Sequence, residues 1–126
     1  MKKITYLFLI ILFSSCSRGI EFSKEEFDTE RWKNDKNGCN NERLSEYSNF
    51  QKIKDQLEGL SEVEIRQTLG NPDAVDLYKR KQKFYIYFIE KGPQCEKNGV
   101  GKAQRIEIRF SAMERANEII YRPALK

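Results

Sequence analysis

Apolar residues recur along this chain at two different periods. Leu44, Tyr47, Phe50, Ile53 and Leu57 return every three or four positions among Glu, Lys, Gln and Asp, the spacing of one buried helix face. Gly59 ends that run and Leu60 leads into a shorter one. There Val63, Ile65 and Leu69 keep roughly helical spacing, and Ser61 and Glu64 are set as a capping box. Gly70 and then Pro72 stop the helix. Downstream the period drops to two. Residues 73–79 carry Val75 and Leu77; residues 83–90 carry Phe84, Ile86 and Phe88 in one phase and Tyr85, Tyr87 and Ile89 in the other. Residues 104–110 alternate Ile106, Ile108 and Phe110 with Arg105, Glu107 and Arg109, a half-buried strand. Residues 80–82 turn between the first two strands. Residues 118–122 form a short last strand or simply continue after a turn at Asn117, and Pro123 ends them.

These elements predict an α+β fold, with two helices packed on one face of a three- to four-stranded antiparallel meander in a two-layer sandwich. Phe84, Ile86, Phe88, Ile106, Ile108 and Phe110 are expected to face the helices. Tyr85, Tyr87, Arg105, Glu107 and Arg109 are expected to share the far face. Upstream, Phe27 and Trp32 stand in a charged background and read as a strap or one-turn helix that docks both rings on the core; the alternative is an exposed aromatic hot spot for a partner.

The amino terminus changes the picture from a plain domain to a processed one. Lys2 and Lys3 precede an apolar run over residues 4–13, too short to span a bilayer as a helix, and Ser14 and Ser15 follow it. That pattern reads as a secretion signal, the alternative being an N-terminal buried strand or helix. Leu12-Phe13-Ser14-Ser15-Cys16 resembles the lipobox of bacterial lipoproteins, with Phe13 where Leu is usual. The resemblance implies that Cys16 takes a diacylglycerol thioether, is acylated, and becomes the first mature residue. Each buried methylene contributes ~0.8 kcal/mol, so two or three acyl chains hold a protein persistently at a membrane. Cleavage by ordinary signal peptidase and free secretion is the alternative. The expected organisation is a leader over residues 1–15, an anchor and tether over residues 16–26, and one domain over residues 27–126.

The chain has three cysteines. With Cys16 lipidated, Cys39 and Cys95 remain as an even pair in an oxidising compartment. A disulfide between them contributes at most about 4 kcal/mol; two unpaired buried thiols are the alternative. Loss of Lys2 and Lys3 with the leader lowers the formal net charge from +4 to +2, and so balanced a charge argues against nucleic acid as a partner. Histidine is absent, which removes the commonest general base and metal ligand. The stretch from Asp35 to Glu46 has calcium-loop spacing at Asp35, Asn37 and Glu46. It puts Cys39 at the fifth position, where an oxygen donor belongs, and Asn40 where glycine is needed, so no metal site is read there. No catalytic residues, cofactor or small-molecule substrate follow from the sequence. Asp73 and Asp76 at the hairpin entry read as caps or solvated turn residues.

Ser61-Glu62-Val63-Glu64-Ile65, then Leu69-Gly70-Asn71-Pro72-Asp73, the aromatic strand Phe84-Tyr85-Ile86-Tyr87-Phe88 and the final alternation through Phe110 resemble the SmpA/OmlA type of small outer-membrane lipoprotein. Its fold also occurs in β-lactamase-inhibitor-like domains. The family's Asp-Gly turn near the last strand is replaced here by Ser111 to Glu114. The resemblance implies a non-enzymatic protein-binding or scaffold role in the cell envelope, in outer-membrane protein assembly or envelope integrity. The resemblance implies the outer membrane facing the periplasm, and Ser17 does not supply the Asp that, in enteric-type sorting, keeps a lipoprotein on the inner membrane. The expected contact is the far sheet face, where Tyr85 and Tyr87 lie beside Arg105 and Arg109; the alternative is that these side chains only cover a solvated sheet. An inhibitor or immunity lipoprotein that binds one enzyme or toxin is the second functional reading.

Overall fold

A computed structural model describes residues 19–78 and 82–125. The leader, Cys16, Ser17 and the Arg80-Lys81 part of the hairpin turn lie outside the described residues. The chain runs through three α-helices and then four strands: α1 (Thr29–Asn34), α2 (Glu42–Ile53), α3 (Glu62–Leu69), β1 (Ala74–Tyr78), β2 (Gln82–Phe88), β3 (Arg105–Phe110) and β4 (Ala116–Arg122). The strands form one antiparallel sheet in the order β1-β2-β3-β4, so the fold is the expected α+β meander with its helices on one face. The residues at 116–122 are a full fourth strand.

Side-chain caps open two of the three helices, and α2 starts at a left-handed Asn41 with no side-chain cap. Asp28 caps α1 by accepting from the Arg31 N–H. Ser61 accepts from the Glu64 N–H while the Glu64 carboxylate accepts from the Ser61 N–H, a complete capping box on α3. The 44–57 run departs from one continuous helix: α2 stops at Ile53 and a 3-10 turn covers Lys54–Leu57. Its buried face differs too. Phe50, Ile53 and Leu57 are buried, but Leu44 is exposed and Arg43 and Glu46 take buried places instead.

Phe27 and Trp32 are fully buried, which decides for core packing over an exposed hot spot. Trp32 stacks on Phe50 at 4.9 Å, and Phe27 sits 5.5 Å from Trp32 and 6.0 Å from Phe50. The strap also runs further upstream than expected. Gly19 N–H donates to Gln67 Oε1 at 2.7 Å and Ile20 N–H donates to Thr68 Oγ1 at 3.0 Å, while Phe22 packs edge-on against Phe27 at 5.9 Å. Residues 19–22, expected to be tether, are part of the folded body.

A buried polar knot joins the helices to the sheet. Arg43 pairs with Asp73 at 2.6 Å and donates to the Trp32 and Phe88 carbonyls; its guanidinium also lies over the rings of Trp32 and Tyr87. Asp73 further accepts from the Asn37 and Phe88 N–H groups, and Asp35 accepts from the Asn40 and Arg43 N–H groups. Asp73 is thus a buried acceptor, not a solvated turn residue. Gly38 lets the same loop approach β2 closely: its φ is +67°, and a Cβ there would lie 2.7 Å from the Phe88 carbonyl oxygen. The Cys39–Cys95 disulfide closes the knot from outside, with Cα atoms 5.8 Å apart across a sequence separation of 56.

Candidate functional site

The sheet register assigns the faces, and it reverses the expected phase of β2. Tyr85 pairs with Ile108 and Tyr87 with Ile106. Directly paired residues share a face, so both tyrosines point at the helices with Ile106, Ile108 and Phe110. All five belong to one core with Phe50, Ile65 and Leu69. Phe84, Ile86 and Phe88 therefore lie on the far face with Arg105, Glu107 and Arg109. The candidate contact set of Tyr85, Tyr87, Arg105 and Arg109 is split by the sheet, and only the two arginines remain on the far side.

The physical reason is that both phases of β2 are apolar enough to be buried, so neighbours decide. β3 has a single admissible phase, and a one-residue slip exchanges every side chain between faces. The tyrosine hydroxyls find partners inside: Arg66 donates to Tyr85 Oη, and Tyr87 Oη donates to the Gly70 carbonyl at 2.7 Å. Burial pushes both phenols above their ordinary range. For Tyr85 a hydrogen bond with Glu62 adds to that and Arg66 opposes it; for Tyr87 the Arg43 charge opposes it.

The far face includes the cross-strand rows Ala74, Ile86, Glu107 and Ile120; Asp76, Phe84, Arg109 and Glu118; and Phe88, Arg105 and Arg122. Among the described residues no helix packs on it. Ile86 is nonetheless buried, between its cross-strand neighbours. Glu107 organises the charges, accepting from Arg105 Nε at 3.1 Å and from Arg122 Nε at 3.2 Å, while Arg109 pairs with Glu118 at 2.9 Å. Arg105 is only 5% exposed and also donates to the Ala103 carbonyl. It is a positioned support for the face rather than a free contact. Asp76, Glu118 and Arg122 are exposed on this face and Arg109 is partly so. At one end Lys102, Pro123 and Leu125 rise beside Asp76, Phe84, Arg105, Glu107 and Arg122 to bound an open cleft of about 530 Å³.

Sequence reasoning missed Phe84, Ile86 and Phe88 as members of this face. The signal that could have found them is the fixed phase of β3 carried across the pairing. It also missed Glu107 as the organiser, although a carboxylate two residues from one arginine and flanked by another is legible in Arg105-Ile106-Glu107-Ile108-Arg109.

Asp35 and Glu46, two of the calcium-like positions, accept from backbone N–H groups, and Glu46 also pairs with Arg31 at 3.4 Å. Among the described residues no cluster of three His, Cys, Asp or Glu side chains is placed to hold a metal ion, and no helix is long and apolar enough to cross a membrane. Compared with known protein families, curated proteins and solved structures, the chain matches none.

Proposed function

We propose that this chain is a lipid-anchored protein of the bacterial cell envelope that binds a protein partner through the open sheet face and carries no active centre. The observation behind the reading is that face itself. A row of Phe84, Ile86 and Phe88 is set in a frame of Arg105, Glu107, Arg109, Glu118 and Arg122, with the helices confined to the other side. A part-aromatic surface, with Phe84 and Phe88 half-buried about a buried Ile86 and rimmed by arginine and carboxylate, has the composition of protein–protein contacts. The leader pattern and Cys16 support anchoring, and the likeness of residues 61–73 to the SmpA/OmlA pattern supports the outer membrane facing the periplasm and a part in outer-membrane protein assembly or envelope integrity.

Photo-crosslinking from Arg109 or Glu118 in intact cells tests the partner surface, because both side chains reach solvent on this face. Recovery of one envelope protein from these positions, and not from Leu44 on the helix side, is the expected result. A barrel-assembly component as that protein supports the scaffold role; a single enzyme or toxin supports an inhibitor instead. Equal, diffuse crosslinking from all three positions would sink the surface assignment.

A further inference from the structure

Residues 19–22 are held against α3. Gly19 and Ile20 are hydrogen-bonded through their backbone to Gln67 and Thr68. Thr68 is buried and passes the contact on by donating to the Glu64 carbonyl at 2.8 Å. Glycine is required for this approach: a Cβ on Gly19 would overlap Thr68 Oγ1 and lie 2.7 Å from the Glu64 oxygen. Phe22 then buries one edge against Phe27, inside the aromatic cluster. The chain is therefore held from its first described residue, and only two residues, Ser17 and Arg18, separate that point from Cys16. Three residue steps span at most about 11 Å when fully extended. A lipid on Cys16 cannot lie further than that from the flank of α3.

The hold lies on the helix layer, and the two-layer construction puts the open sheet face on the opposite side. We propose that docking of residues 19–22 on α3 keeps the helix layer against the bilayer and turns the face bearing Arg109, Glu118 and Arg122 toward the soluble side of the envelope. This rests on the lipid-anchor reading of Cys16. The domain is then an oriented platform and not a body on a free leash, and partners reach it from the aqueous phase with no need to compete with the membrane.

The test uses the full-length acylated protein, purified from the producing cells and reconstituted in phosphatidylethanolamine–phosphatidylglycerol vesicles with nitroxide-headgroup lipid. A fluorescent amino acid is encoded either at Glu21, exposed beside the docking point, or at Glu118, exposed on the sheet face. Quenching is expected to be several-fold stronger at Glu21. A flexible Gly-Ser insert of about ten residues between Arg18 and Gly19, which leaves the docked contacts intact, should erase most of that contrast. Equal quenching at the two sites, stronger quenching at Glu118, or a contrast that survives the insert would overturn the orientation. Intact mass and vesicle flotation read the anchor separately. A protein without the acyl mass on Cys16 that fails to float overturns the anchor and the orientation with it, whereas an acylated, floating protein with equal quenching overturns the orientation alone.

Discussion

Arg43 and Asp73 show how much of this fold rests on two charged side chains in a core. Their head groups are almost wholly removed from water, and an ion pair in such a place is maintained only when every remaining donor and acceptor is met. Here the Trp32 and Phe88 carbonyls and the Asn37 and Phe88 N–H groups meet them. Removing one partner strands the other, so Asp73→Ala should cost about 3–5 kcal/mol, read from the midpoint of denaturant unfolding. A loss under 1 kcal/mol, the size typical of an exposed pair, would show that the knot is not the keystone described. The tyrosines give a second residue-level outcome. Tyr87 keeps its proton more tightly folded than unfolded, because burial penalises the phenolate. The stability this contributes is complete below the ordinary tyrosine value of about 10 and is lost as pH rises above it. Tyr87→Phe should therefore lose about 1 kcal/mol at neutral pH, the worth of one hydrogen bond. It should also flatten the fall of Tm with alkali. Melting curves that stay parallel to wild type above pH ~10 would contradict that account.

At the level of elements, local chemistry set the bounds of α3 and strand pairing set the faces of the sheet. The capping box at Ser61 and Glu64 could be read directly, and Ser61→Ala should cost about 1 kcal/mol by thermal melting, with Glu64→Ala giving a loss of the same order. The phase of β2 could not be read, since Phe84-Ile86-Phe88 and Tyr85-Tyr87-Ile89 are equally plausible inner faces. Alternation tells which residues travel together, not which way they point. β1 carries the same lesson. Val75 and Leu77 lie on the core side by register, yet at the sheet edge Leu77 stays 75% exposed. Leu77→Lys is expected to change stability by no more than about 0.5 kcal/mol; a large loss would mean that something covers this edge. In α2 the helical repeat counted Leu44 inward, whereas the fold exposes it and buries Arg43 and Glu46. Partners far off in sequence, Asp73 above all, decide that.

Across the whole molecule, the Cys39–Cys95 bond ties the loop after α1 to the segment between β2 and β3, closing most of the helices and the hairpin into one ring. Reduction with both thiols blocked should lower unfolding stability by up to about 4 kcal/mol, measured against the oxidised protein in the same denaturant series. A difference near zero would show that the polar knot alone holds these segments together. The ring and the knot lie beside one another, so their effects are not expected to add.

From sequence alone came the class of fold, the start and stop of α3 and the even cysteine pair, because each depends on residues a few positions apart or on simple counting. Tertiary structure decided which face of β2 is inside, that a charged pair occupies the core, and that residues 19–22 belong to the body. Those outcomes depend on partners tens of residues away, Ile106 and Ile108 for the tyrosines, Asp73 for Arg43, and Thr68 for Ile20, whose proximity exists only once the helices have closed over the sheet.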